Sequence, residues 1–445
     1  MDISLKERLL NTLPNCHSYA GLDPAKLADR LDALAAIGRT EAGGISRFVY
    51  TKEEKEAKEL FKSWLQEIGL VVREDPLGNI FARYEGTEPS LPVVMTGSHL
   101  DTVPNGGAFD GVLGCVSSFM AIEALVKEGR KPKRSIELVV FIDEEGTRFQ
   151  NGIFGSRVMM GEVLYDDLLS LQDKDGVKFV QAAREIGLQP ENIEDAYYPK
   201  EDICAFLELH IEQGKQLEIS NDNIGVVNGI AGTSWHTYTF YGETDHAGNT
   251  PMNLRKDSVA AAAEFIVEVE KIPPTISETA VATVGKIDVL PNGANVIAGE
   301  ATVTVDARDI DEDQRDRMIE LITETAKTIA KNRELKIKHE SEFRIPPVKV
   351  PEPIQQAVRE SADSLQLSHR PIPSGAGHDA MVLGKYVPAG MIFVPSVNGK
   401  SHSPEEFTNL NDCLDGIAVL KETLFKLSNQ STLDSKSPKS VKVES

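Results

Sequence analysis

Five side chains of metal-binding type fall in five separate segments of the chain: His99, Asp110, Glu145, His210 and His402. Each segment reads as a strand running into a loop. His99 and Asp110 lie in TGSHLDTVPNGGAFDGVLG from Thr96, and Glu145 lies in IELVVFIDEEGTRF from Ile136. Imidazole nitrogens mixed with carboxylate oxygens suit two borderline divalent cations better than one. A metal pair with an acid beside it is equipment for activating water. A metallohydrolase is therefore the first reading.

Neighbouring residues add to it. Asp101 follows His99 by two positions, on the same face of an extended chain. Its carboxylate is placed to accept the second ring N–H of His99 and fix the tautomer. Asp110 sits among glycines just before a helical pattern, where a carboxylate can bridge two metals or cap the helix. Asp143, Glu144 and Glu145 end an apolar strand as three adjacent acids, which repel one another unless cations compensate. Strand alternation sends Glu144 and Glu145 to different sides, one towards metal and the other towards water as general base.

The elements that must position these groups alternate. LPVVMTGSH, IELVVFI, CAFLELH and GMIFVPS read as strands, and VLGCVSSFMAIEALVKEG reads as a helix with a glycine stop. Strands alternating with helices imply a mostly parallel α/β sheet, and ligands gather at the carboxyl ends of its strands. The segment 229–343 differs: strand, helix, two strands, helix and strand make an α+β unit of four strands and two helices, inserted into the first domain. The expected organisation is a catalytic domain over 1–228 and 344–428, the insert over 229–343, and a disordered Ser- and Lys-rich tail over 429–445.

Composition excludes some partners. The 47 basic and 69 acidic residues leave a net charge of −22, which argues against nucleic acid and anionic membrane surfaces. The N-terminal MDISLKERLL lacks the apolar core of a signal peptide, and the apolar runs are strand-sized, short of the roughly 18 residues of a membrane helix. Cys16, Cys115, Cys204 and Cys413 are scattered without CxxC spacing. The expectation is a reduced, cytoplasmic protein without thiolate-bound zinc.

These blocks resemble the co-catalytic zinc aminopeptidase and carboxypeptidase superfamily. Within it the chain resembles the amidase, hydantoinase and carbamoylase group, from about Thr51 to Asp415. GSHLDTV, FDG and DEEG are shared by the wider superfamily. LELHIEQG from Leu207, GETDHAGNTPM from Gly242, SGAGHDA and SHSPEE are more specific to the group, which includes N-carbamoyl-L-amino acid hydrolases, allantoate amidohydrolases and β-ureidopropionases. The resemblance implies a dinuclear site in which His99, Asp110 and His210 hold one metal. Asp110, Glu145 and His402 hold the other. It implies zinc or manganese, with cobalt or nickel accepted by the same donors, and Glu144 as general base.

The resemblance further assigns His246 to the oxyanion and Gln213, Asn295 and Arg308 to the substrate. Gly377 and His378, in a glycine-rich turn opening a helix, are placed to hold a carboxylate or oxyanion. Arg308 suits a substrate carboxylate, or pairs with Asp306 or Asp309. His246 and Asn295 read equally as turn residues, and His378 as an ordinary helix cap. Because His246, Asn295 and Arg308 lie in the insert, the resemblance also implies a homodimer with sites completed across subunits. The expected reaction is hydrolysis of an N-carbamoyl-L-amino acid, a small molecule with a free carboxylate. Allantoate and β-ureidopropionate are the nearest alternatives, and a peptide is more distant. A non-catalytic ligand-binding protein would lack a ligand or Glu144, and none is missing.

Overall fold

The structure, a computed structural model, describes residues 4–13 and 16–430. It divides into two compact units. One holds the described residues up to Asn228, Val350–Ile372 and the described residues from His378; the other holds Gly229–Lys349 and Pro373–Gly377.

The first unit is built on a sheet of β1 (Val71–Glu74), β2 (Ile80–Tyr84), β3 (Val93–His99), β4 (Ile136–Phe141), β5 (Ile203–Ile211), β6 (Ile224–Ile230) and β7 (Ala389–Val394). Their order across the sheet is β1-β2-β4-β3-β5-β7-β6. The four central strands run parallel. β3, β4 and β7 are buried along their whole length, as a sheet covered on both faces requires. The edges are antiparallel. The β1–β2 connection is too short for a crossover. There Asp75 Oδ1 accepts the N–H groups of Leu77, Gly78 and Asn79 at 2.7–3.0 Å.

The helix Val112–Lys127 is apolar on every side, and all its residues from Val112 to Leu125 are buried. It packs between β3, β5 and the last helix, Leu410–Asn429. The helix reaches Asn429, the first residue of the expected tail over 429–445, and residues 431–445 lie outside the described residues. Among the described residues no helix is long and apolar enough to cross a membrane, and the four cysteines are free.

The second unit is a four-stranded antiparallel sheet, Lys336–Arg344, Gly232–Tyr241, Glu300–Asp309 and Val281–Leu290 in spatial order. Alternation sends Tyr238, Phe240, Ala301, Val303, Val305 and Ala307 to one face, where they pack on Phe265, Met318 and Ile322 of two helices. Asp257 and Asp311 cap the helices Ser258–Val269 and Glu312–Asn332, each contributing about 1 kcal/mol. A mostly parallel α/β unit and an α+β unit of four strands and two helices are the classes the alternation implied.

Candidate metal centre and active site

The parallel strands deliver the chemistry to one sheet edge. His99 closes β3, His210 is the penultimate residue of β5, and the acids Asp143–Glu145 follow β4. Asp110 and His402 come from loops, the latter after β7. Asp110 is placed by a γ-turn: Val112 N–H donates to Asp110 O at 2.6 Å, with Gly111 between them at φ 64° and ψ −48°. A side chain is strained in that conformation. A Cβ at Gly111 would also lie 2.3–2.4 Å from three atoms of the His99 imidazole. Asp110 can therefore stand beside His99 only because residue 111 is glycine.

Asp110 divides its two oxygens. Oδ1 lies 3.1 Å from His210 Nε2 and 3.8 Å from His99 Nε2. Oδ2 lies 3.1 Å from His402 Nε2, which is itself 3.7 Å from Glu145 Oε1. Donor atoms of His99, Asp110 and His210 fall within 4.8 Å of one another, as do those of Asp110, Glu145 and His402. Burial alone would raise the Asp110 pKa. Its hydrogen bonds with His210 and His402 outweigh burial and hold it well below the usual carboxylate range.

The donor set fits divalent cations. His99 Nδ1 lies 3.1 Å from Asp101 O, and His210 Nδ1 lies 2.9 Å from Ile211 O. In its neutral form each ring then carries its hydrogen on Nδ1 and turns the Nε2 lone pair towards a carboxylate, in place of the Nε2–H bond that a protonated His210 gives Asp110. Acceptor facing acceptor is satisfied by a cation between them. Glu145 Oε1, buried without a hydrogen-bond partner, adds a further open acceptor.

Two sequence expectations change in detail. Asp101 meets the His99 ring mainly through its backbone carbonyl; its Oδ1 is 3.5 Å from Nδ1. The carboxylate instead accepts the backbone N–H groups of Glu144 at 3.2 Å and Glu145 at 3.1 Å. Nor does strand alternation separate the two glutamates. β4 ends at Phe141, and Asp143 turns the chain with φ 51°, so a bend pinned by Asp101 places them. Glu144 Oε2 lies 3.7 Å from His99 Nε2. Burial, with the Glu145, Asp379 and Asp101 carboxylates, pushes the Glu144 pKa well above the ordinary range against the pull of His99.

Gln213 joins this cluster, donating from Nε2 to Asp110 Oδ2 at 2.8 Å and to Ser401 Oγ at 3.1 Å. Its Oε1 is buried without a partner. His378 is buried with its ring 4.6 Å from that of His210, and its side chain makes no cap bond to the helix Asp379–Leu383. Gly377 ends the short segment of the second unit.

The insert residues form two groups within the second unit. Asp245–His246 pairs with Val296–Ile297 in a short ribbon, and Ala247 N donates to Asn295 O at 3.0 Å, so His246 and Asn295 are neighbours. His246 Nδ1 accepts from Gly248 N at 2.9 Å and Asn249 N at 3.1 Å. That leaves the ring hydrogen on Nε2. Arg308 is engaged elsewhere: Nε and Nη2 bond to Asp306 at 2.9 and 2.8 Å, and Nη1 to Gly375 O at 2.7 Å. Pairing with Asp306, one of the two alternatives for this residue, is thus present.

Sequence reasoning missed Glu406 and Ser401. Glu406 Oε1 accepts the backbone N–H groups of Phe109 at 2.8 Å and Asp110 at 3.0 Å. Ser401 Oγ lies 2.9 Å from both Asp110 Oδ2 and Glu406 Oε2. Both residues sit in SHSPEE, where His402 is the one residue of metal-binding imidazole type. Glu208, which forms a buried cluster with His210 and His378, was missed as well; it precedes His210 by two residues on one strand face.

An α/β sheet edge that gathers imidazoles around one shared carboxylate, with an acid beside them, defines a hydrolase framework. Residues 95–426 match Peptidase family M20/M25/M40, and the chain belongs to that family. It is 40% identical over 409 residues to an N-carbamoyl-L-amino-acid amidohydrolase of Pseudomonas sp. (strain NS671), covering 90% of this chain and 97% of that one. A ureidoglycolate hydrolase of Arabidopsis thaliana is 39% identical, covering 93% and 88%. An allantoate amidohydrolase of Escherichia coli (strain K12) is 36% identical, covering 91% and 98%. Among solved structures, an amidase of the hydantoinase/carbamoylase family from Burkholderia multivorans superposes with a TM-score of 0.85 at 34% identity, covering 92% of this chain and 98% of that one. The chain is a hydrolase of C–N amide bonds.

Proposed function

We propose that the chain hydrolyses the ureido C–N bond of N-carbamoyl-L-amino acids, releasing the amino acid and carbamic acid, which decomposes to carbon dioxide and ammonia. The observation that carries this reading is the division of the Asp110 oxygens between His99 and His210 on one side and His402 on the other. His99, Asp110 and His210 would hold one divalent ion, and Asp110, Glu145 and His402 a second, zinc or manganese, with cobalt or nickel tolerated. Bound there, the pair supplies Lewis-acid charge and lowers the pKa of the attacking water.

The chain's own groups do the rest. Glu144 takes the proton of the attacking water and returns it to the amino-acid nitrogen as the C–N bond breaks. Asp101 holds Glu144 and Glu145 by their backbone N–H groups. Gln213 Oε1 accepts an N–H of the carbamoyl group. His246 offers Nε2–H to the developing oxyanion, and Asn295, Gly377 and His378 orient the substrate. Arg308 has five N–H donors, of which three are used within the second unit; the remaining two serve the substrate carboxylate. The active form is a cytoplasmic homodimer.

A panel of N-carbamoyl-L-methionine, allantoate, ureidoglycolate, N-carbamoyl-β-alanine and a dipeptide, assayed after manganese or zinc loading, tests the reading. The highest kcat/KM falls on N-carbamoyl-L-methionine. A higher value for any other member refutes the assigned substrate class.

A further inference from the structure

We propose that Glu406 is a positioning residue that, through the single hydrogen of the Ser401 hydroxyl, keeps Asp110 Oδ2 open for the cation on the His402 side. The inference rests on the metal pair proposed above and goes beyond it to what decides occupancy of one half.

A carboxylate oxygen has two lone pairs. One on Asp110 Oδ2 is taken by Gln213 Nε2 at 2.8 Å. The other is contested between the Ser401 hydroxyl at 2.9 Å and a cation shared with His402, whose Nε2 is 3.1 Å away. Ser401 has one hydrogen and cannot donate to two carboxylates at once. Its alternative acceptor is Glu406 Oε2, also at 2.9 Å. While Glu406 takes that hydrogen, Oδ2 is free for the cation.

Glu406 is held in place for this. It is 2% exposed, and its other oxygen accepts the backbone N–H groups of Phe109 and Asp110. Gly107 makes room for it: a Cβ there would lie 2.1 Å from Glu406 Cδ and Oε1. The same carboxylate therefore fixes the backbone of Asp110 and the hydrogen of Ser401.

Glu406→Gln reverses the count. The glutamine carbonyl keeps the two backbone N–H groups, so its amide nitrogen faces Ser401 Oγ and donates to it. The Ser401 hydrogen must then turn to Asp110 Oδ2 and compete with the cation. Ser401→Ala removes the competitor. The test is zinc binding to the full chain, measured by equilibrium dialysis against buffered free zinc, with thermal unfolding in chelator to check folding. The wild type binds two ions. Glu406→Gln keeps one at unchanged affinity and binds the second about 10–100-fold more weakly. Ser401→Ala binds both at least as tightly as the wild type, and the double variant recovers the second ion relative to Glu406→Gln. A merely structural role for Glu406 would not give that recovery.

Equal weakening of both ions, an unaffected second ion, or no recovery in the double variant overturns the proposal. If Glu406→Gln fails to fold, loss of the second ion in Ser401→Ala alone overturns it. Fewer than two ions on the wild type refutes the metal pair itself and the proposal with it.

Discussion

Replacing Gly111 by alanine should disable the metal centre through one methyl group. The new Cβ meets three atoms of the His99 ring at 2.3–2.4 Å, against the 3.5–4 Å or so at which carbon atoms pack. The ring must retreat by roughly 1 Å, whereas metal–ligand distances tolerate about 0.2 Å. The backbone adds a cost. At φ 64° and ψ −48° an alanine is strained by about 1–3 kcal/mol, and displaced packing adds about 1–3 kcal/mol. Gly129 separates the two effects: it has φ 66° with nothing within 4 Å of an added Cβ, so Gly129→Ala carries only the left-handed backbone cost of about 1–2 kcal/mol. Urea unfolding in chelator should therefore show Gly111→Ala less stable than Gly129→Ala. Zinc titration should show Gly129→Ala binding normally and Gly111→Ala losing the ion held by His99. If Gly111→Ala matches Gly129→Ala in stability and binds zinc as the wild type does, the close approach of Asp110 to His99 is not what the glycine provides.

Glu144→Gln should lower kcat about 10²–10⁴-fold with both metals retained by elemental analysis; wild-type turnover would remove Glu144 as base. Mixing Arg308→Ala with Glu144→Ala chains should restore part of the activity if the sites are completed across subunits, and no recovery would place Arg308 outside the partner's site. The Asp412 carboxyl, pushed up to about 6 by burial, binds its proton more tightly in the folded chain than in the unfolded one. Its contribution to stability is full below about pH 4 and lost as pH rises to about 6. Asp412→Asn should gain roughly 2–3 kcal/mol on the wild type between pH 4 and pH 7, read by urea unfolding at both values; a pH-independent difference would contradict it.

Much of this site was legible because it depends on strand ends. His99 and His210 sit where apolar runs stop, and a parallel sheet brings the ends of such runs to one edge whatever their separation in sequence. Asp110 stood out among its glycines as a bridging carboxylate, and the γ-turn supplied the geometry. Less legible was anything decided by a loop's local conformation. The left-handed Asp143 replaced strand alternation in placing Glu144 and Glu145. Asp101 gave its carboxylate to two backbone N–H groups rather than to the His99 ring. Glu406 escaped because a residue that acts by bonding backbone N–H groups nearly 300 positions away leaves no spacing to read. Arg308 showed the converse: a guanidinium suited to a substrate carboxylate already binds Asp306.

Two metals sharing Asp110 are the central feature of the proposed site. Anomalous diffraction from crystals grown with zinc tests it most directly. Two peaks about 3.5–4 Å apart are expected, one among His99, Asp110 and His210 and one among Asp110, Glu145 and His402. A single peak at full zinc loading, or a pair in which Asp110 touches only one ion, would contradict it.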